Sequence, residues 1–275
     1  MTTARTLLGG TNRFYDRTEA LPSTPPAGDY VVVDVCYFST TVVELLAGGA
    51  RGIHVPETAG ELFEYRATNP TARVGGEPLD EAGRPKPGHD LHNSPSFVQG
   101  VDVADRPVAL TSNNGGRCVA ALADHDDVTV YVGSTTNAPA IAAHLASRDR
   151  PTYLVAAGSH GDRAPEDEAG AALVANFLRE DVQYDPDVAR DAILAARRSE
   201  DLDPFRRRDL ERHVTAVGYH DVVPRYEDAH LVDVAADRER SLASDHEVVA
   251  PTAADADDPE DRPLDDSDRA HRSLS

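Results

Sequence analysis

Four short stretches of this chain gather acids, amides and hydroxyls where chemistry could use them. The first is "DVCYFSTT", residues 34–41, which follows the apolar run "YVVV". Asp34 closes that run. Ser39, Thr40 or Thr41 can cap the helix that follows, and the free N–H groups of such a helix attract anions. The stretch is no Walker loop, because no Gly-Lys-Ser/Thr follows. Taken alone it reads as a strand, a turn and a cap.

The second stretch pairs "GGE" (75–77) with "HDLHNSP" (89–95). Glu77 and Asp90 could share a divalent cation, because hard cations such as Mg2+ take carboxylate oxygens. Asn93 and Ser94, standing before Pro95, make a helix start that also suits an anion. His89 and His92 have the spacing of a zinc pair but no completed ligand set, so they read as loop histidines. The third stretch is "TSNNGGRCV" (111–119). Asn114, Gly115 and Gly116 turn into a helix there, and glycine lets backbone N–H groups come close to a ligand. Arg117 could add a bidentate phosphate contact, although the turn by itself is ordinary. The fourth, residues 156–178, opens a helix near Glu166 and Asp167. Acids in a first turn commonly complement the helix dipole; these could equally ligate a metal beside Asp34. Four strand ends carrying such groups exceed what capping requires. Together they describe an acidic, metal-ready crevice with anion-binding helix ends, which points to phosphoester chemistry.

The elements that must position these groups alternate. Strands are expected at 30–35, 52–55, 72–76, 107–112, 128–133 and 152–157, and helices at 40–48, 57–67, 94–100, 115–124, 136–147 and 166–180. That order predicts an α/β fold with a mainly parallel or mixed sheet flanked by helices, and ligands at the C-terminal ends of its strands. The Gly- and Pro-rich segment 76–95 breaks the rhythm as functional loops do. Residues 186–213 read as Arg-rich amphipathic helices, a lid or flank, giving a helical C-terminal part. The expected organisation is an N-terminal segment (1–27), one domain (28–250, with the motifs in 28–180), and an acidic tail (251–275). The tail has too few large apolar groups to offset its ordering entropy and is expected to be disordered.

Composition narrows the partners. The chain has 275 residues, 48 acidic and 27 basic, for a net charge of −21, and Lys86 is its single lysine. A phosphate backbone would be repelled, which excludes a nucleic acid partner. An acid excess with lysine depletion suits a cytoplasm of molar salt, where charge is screened over roughly 3 Å. No apolar run reaches the ~20 residues that cross a bilayer, and the stretch "MTTARTLLGG" does not read as a signal-peptide core of sufficient length. Cys36 and Cys118 make no disulfide framework and read as small buried hydrophobes, which is consistent with a cytoplasmic setting. A small anionic phosphorylated substrate is the expected partner, with no membrane, and a homodimer is admitted as the assembly.

Taken in order, the motifs resemble the 2-phosphosulfolactate phosphatase family of coenzyme M biosynthesis. Its members carry Asp-Val-Leu-Arg-Ala-Ser-Thr, a Gly-Glu turn, Gly-Phe-Asp-Leu-Gly-Asn-Ser-Pro, Thr-Asn-Gly-Thr-Arg and Ala-Gly…Glu-Asp…Ala-Gly. This chain offers "DVCYFST" (34–40), "GGE" (75–77), "GHDLHNSP" (88–95), "SNNGGR" (112–117) and "AAGSHG…EDEAG" ending at Gly170. The segment "GSTTNAPAIA" (133–142) is similar to a further family region. The resemblance implies an α/β fold and Mg2+-dependent hydrolysis of a phosphate monoester on an acidic three-carbon hydroxy acid. It implies a metal held by Asp34, Asp90 and Asp167, with Glu77 and Glu166 as further candidates. Asp34, Asp90 and Arg117 form the implied catalytic set, Asp34 orienting or deprotonating the attacking water. Ser39, Thr40, Asn93, Ser94, Asn114 and Gly115 are the implied substrate contacts.

One departure sets a structural question. The family's Arg in the first motif is Tyr37 here, which brings no charge. A compensating cation is expected near Asp34, with Arg84, Arg117 and Arg163 as candidates. Without one, the fold would serve a different small phospho-acid, or bind an acidic metabolite without turning it over. The charge excess yields a separate expectation. Melting temperature should rise from low salt to molar KCl, because screening relieves the self-repulsion of a chain at −21; a flat response would remove the high-salt reading.

Overall fold

The computed structural model describes residues 4–9, 13–76, 84–197 and 202–235; Glu77 and the tail at 251–275 lie outside these described residues. The strands are β1 (Phe14–Tyr15), β2 (Gly28–Val33), β3 (Gly52–His54), β4 (Arg73–Gly76), β5 (Leu91–His92), β6 (Pro107–Leu110), β7 (Val128–Gly133), β8 (Thr152–Ala156), β9 (Pro224–Glu227) and β10 (His230–Asp233). The helices are α1 (Ala4–Gly9), α2 (Phe38–Ala47), α3 (Ala59–Thr68), α4 (Pro95–Val98), α5 (Gly115–Ala123), α6 (Ala138–Ala146), α7 (Pro165–Leu178), α8 (Pro186–Ala196) and α9 (Pro204–Arg212). The six strands and six helices expected from periodicity are all present, with ends displaced by a few residues at most.

One mixed sheet runs in the order β1-β8-β2-β7-β9-β10-β3-β6-β4-β5. β1, β8, β2 and β7 are parallel to their neighbours, and so are β3, β6, β4 and β5. The antiparallel hairpin β9–β10 stitches the two parallel halves together through β7 on one side and β3 on the other. The C-terminal part is therefore more than helical: after α8 and α9 it supplies two strands of the sheet. Three antiparallel pairings in a row leave the halves running in opposite senses. A twist of about 20–25° per strand step, accumulated between β2 and β6, turns their C-terminal ends toward each other.

The strand sequences explain the layering. β2, "GDYVVV", is buried at every position, as a strand covered on both faces must be. Val31 and Val33, with Tyr131 of β7 and Leu154 of β8, face Ile141, Leu173, Val174 and Ile193 of α6, α7 and α8. Tyr30 and Val32 face the opposite way, into a core shared by Phe38, Val42 and Leu45 of α2, Val119 and Leu122 of α5, and Ile53, Val108 and Leu110 of the second half. α2 and α5 thus lie between the two half-sheets, while Leu62 of α3 covers Val74 and Ala109 on the outside. Each large apolar side chain buried this way contributes roughly 1.5–3 kcal/mol.

α2 also carries a buried acid. Oε1 of Glu44 accepts from Nδ1 of His213 (2.9 Å), Nε2 of His220 (3.1 Å) and the Tyr219 hydroxyl. Burial alone would push the Glu44 pKa up; the donors from His213, Tyr219 and His220 overcome it and hold the carboxyl at about 2. A depressed carboxyl contributes stability that is present above its unfolded pKa and lost as pH falls through the folded value. Acid titration from pH 5 to 2 should therefore cost the wild type up to about 3 kcal/mol more than Glu44→Gln; parallel curves would remove Glu44 from the acid response.

Candidate active site

Residues just past the C-terminal ends of β2, β4, β5, β6 and β8 meet around one cavity of about 350 Å3. Its walls include Asp34 and Tyr37 from the first motif, Asn93 from the second, Asn113 and Asn114 from the third, and Ser159 and His160 after β8. Arg197, just after α8, and Arg206, on α9, complete it. Strands of both half-sheets contribute, so the cavity exists only where the halves converge.

Asp34 is held from two directions. Its backbone N–H donates to Ser39 Oγ (2.8 Å) and its carbonyl accepts from the Ser39 N–H (2.8 Å), closing the turn into α2. Its carboxylate accepts from the N–H of Gly115 (2.9 Å), the first residue of α5. Only glycine fits there: a Cβ would lie 2.3 Å from Phe38 Cδ1 and 2.9 Å from the Asp34 carboxylate. Burial drives the Asp34 pKa up to about 6; the Gly115 and Phe38 N–H groups pull it down, Glu166 raises it, and Arg197 lowers it. Asp167, buried at the start of α7, accepts from the N–H groups of Val35 (2.9 Å) and Gly158 (3.1 Å) and so pins the ends of β2 and β8 together. Burial, with the charges of Asp34 and Glu166, pushes its pKa well above the usual range. Cys36 also lines the cavity, but burial raises its thiol far above neutrality, so it is no thiolate nucleophile.

The cations of the cavity come from the C-terminal helices. Arg197 bonds Glu166 (2.8 Å) and lies 5.8 Å from the centre of the Tyr37 ring. Arg206 stacks on that ring at 3.7 Å and donates to the Asn93 carbonyl (2.7 Å). Asn93 Oδ1 is buried with no hydrogen-bond partner among the described residues. The cavity thus combines a carboxylate, an unpartnered amide oxygen and two guanidiniums, groups that can contact a small anion carrying more than one charged group.

The 2-phosphosulpholactate phosphatase family model matches residues 15–222 of this chain. The chain belongs to that family. Relatives named as probable 2-phosphosulfolactate phosphatases include those of Deinococcus radiodurans (34% identical, covering 59% of this chain and 66% of the relative), Symbiobacterium thermophilum (30%, 56% and 67%) and Carboxydothermus hydrogenoformans (32%, 54% and 60%). The chain thus spans about two thirds or less of the length of these relatives.

Within the family frame, the motif residues separate. The structure brings Asp34, Asn93, Asn114 and Gly115 together, Asn114 Oδ1 accepting from the N–H of His160 (3.1 Å). Ser39, Thr40 and Ser94 are buried beneath the cavity: Thr40 Oγ1 donates to the Val35 carbonyl (2.9 Å), and Ser94 Oγ caps α4 by accepting from Phe97 (3.3 Å). Glu166 faces Arg197 and Asp167 serves the backbone, as described. Asp90 lies outside the cavity lining, ion-paired with Arg66 of α3 and accepting from the Val74 N–H (3.0 Å). Arg117 points to the surface and pairs with Glu19. Arg163 pairs with Asp16 (3.2 Å) and Glu168, and Arg84 sits on the exposed surface away from the lining. The expectation of a compensating cation is thus met by Arg197 and Arg206 rather than by Arg84, Arg117 or Arg163. The Arg-rich run at 186–213 was their only sequence signal, and nothing in it indicates which arginines face the site. Among the described residues, no three His, Cys, Asp or Glu side chains converge to hold a metal, and no helix is long and apolar enough to cross a membrane.

Gly115→Ala is the sharpest probe of this geometry. The added methyl has no room, and overpacking of this kind costs about 1–3 kcal/mol. A lowered melting temperature with loss of anion binding is expected, whereas wild-type values for both would refute the close approach of Gly115 to Asp34.

Proposed function

We propose that this chain hydrolyses the phosphate monoester of a small acidic hydroxy acid, 2-phosphosulfolactate being the family's substrate, with Mg2+ as cofactor. The observation that carries the reading is the cavity itself: the buried Asp34 carboxylate shares it with Arg197 and Arg206. Family membership and the phosphatase names of the relatives support it.

The donor set fits Mg2+, which is commonly bound by one or two carboxylates and by oxygens of the substrate phosphate. Asp34 supplies a carboxylate and Asn93 Oδ1 an unpartnered hard oxygen. Glu77, outside the described residues, remains a further candidate. When bound, the cation would polarise the phosphoryl oxygens and offset charge in the transition state. The chain's own residues do the rest. Asp34, with its pKa raised to about 6, is ionised at neutral pH and can orient or deprotonate the attacking water. Attack forms a P–O bond to that water as the ester P–O bond breaks, releasing inorganic phosphate and the free hydroxy acid. Arg197 and Arg206 would bind the phosphoryl oxygens and the substrate acid, since positioning and charge stabilisation supply most of phosphoryl-transfer catalysis. Free Cys36 and Cys118 are compatible with a cytoplasmic setting.

Phosphate release measured in molar KCl, with and without Mg2+, tests the proposal. Activity should require the cation. Asp34→Asn should reduce kcat by about 10²–10⁴-fold, the usual contribution of a positioned acid–base group, while leaving melting temperature nearly unchanged. Equal release by Asp34→Asn and wild type would remove Asp34 from the chemistry.

A further inference from the structure

The buried cluster around Glu44 lies outside the cavity lining, and the proposed chemistry does not use it. It sits where α9 ends. His213, the C-cap of α9, gives its Nδ1 proton to Glu44 Oε1 at 2.9 Å; His220 Nε2 (3.1 Å) and the Tyr219 hydroxyl give theirs to the same oxygen. Gln99, just after α4, donates to Oε2 (3.3 Å). Glu44 and His213 are both buried.

Two side-chain ties link the α9 segment to the α2 segment. Arg206 of α9 stacks on Tyr37, the residue before α2, and His213, the residue after α9, bonds Glu44 of α2. The body of α9 packs on α4. A third tie runs sideways, where Asp209 Oδ1 accepts from the Ser96 N–H of α4 (2.8 Å). Sliding α9 by one residue would lift the Arg206 guanidinium off the Tyr37 ring and away from the Asn93 carbonyl.

We propose that Glu44 is a positioning residue for Arg206: by clamping His213 it anchors the C-terminal end of α9, and with it the placement of the Arg206 guanidinium and the affinity of the cavity for anions. The kinetic arm of the test rests on the phosphatase reading above; the binding arm does not.

Inorganic phosphate, titrated calorimetrically into the full chain, is the probe. Glu44→Gln and His213→Gln should each raise the phosphate Kd by about tenfold and raise KM for a phosphomonoester similarly, with kcat nearly unchanged. In an Arg206→Ala background the same two changes should leave Kd and KM where they are, because their effect passes through the missing guanidinium. Tyr219→Phe removes one donor at the exposed edge of the cluster. It keeps the test open if the buried variants misfold, with a smaller loss of affinity expected. An unchanged Kd in correctly folded variants, or a loss that persists undiminished without Arg206, overturns the proposal. A wild-type chain that binds no phosphate overturns it too. A wild-type chain that binds phosphate but releases none from phosphomonoesters, while the variants behave as stated, would uphold the clamp and sink the proposed activity.

Discussion

The hydrogen bond from the Gly115 N–H to the Asp34 carboxylate (2.9 Å) is the point on which the rest of the site depends. Asp34 ends a strand of one half-sheet, and Gly115 opens the helix that follows a strand of the other. The bond therefore joins the halves where their C-terminal ends converge. It also makes a buried carboxyl tolerable, since burial disfavours the charged form and a backbone N–H favours it. Removing the donor would leave a buried acid with less to hold its charge. Asp167 repeats the device one layer away, spending both oxygens on backbone N–H groups of the β2 and β8 ends. One acid is thus left facing the cavity while the other serves the frame.

Charge is distributed against the trend of the chain. A surface at −21 would repel a small anion, yet the cavity gathers two guanidiniums. They do not arrive from the strand-end loops that carry the motifs. Arg197 and Arg206 come from the helices that follow the motif region, and Tyr37 provides a flat ring on which Arg206 rests. An uncharged residue in the first motif is therefore compatible with a charged site, because the cation is delivered across space by another element. Under the proposed function, anion recognition would depend on how α9 is seated, which would give a role to contacts that never touch a ligand.

The hairpin β9–β10 has a similar place in the fold. It comes late in the chain yet sits in the middle of the sheet, between β7 and β3. Helices α8 and α9 precede it, so the segment that brings Arg197 and Arg206 to the cavity lies in the chain between the motif region and this central hairpin. The segment between α9 and β9 is bonded to the turn before α6, where Asn137 donates to the Val222 carbonyl (3.0 Å) and the N–H of Gly218 to the Thr135 carbonyl (3.0 Å). Sheet, cavity wall and C-terminal helices are in this way parts of one construction.

The sequence by itself determined the elements. Val-rich runs read as strands covered on both faces, glycine-led turns opened helices, and the four strand-end motifs located the cavity residues Asp34, Asn93, Asn114 and Gly115. Those features are local, since periodicity and turn chemistry report whether a position is covered and how the backbone bends. Only the tertiary structure decided what covers what. Asp90 and Arg117 sit in the right motifs, but Arg66 and Glu19 draw them away from the cavity. The hydroxyls of Ser39, Thr40 and Ser94 are spent on nearby backbone and side-chain partners below its floor. β1 and β5 carry two residues each, too few for a period to register, β9 ("PRYE") and β10 ("HLVD") have too little apolar content to show one, and strand order has no local signature. Arg197 and Arg206 reach the site because α8 and α9 pack there, a fact that depends on partners more than a hundred residues away along the chain, Cys36 and Asn93 among them.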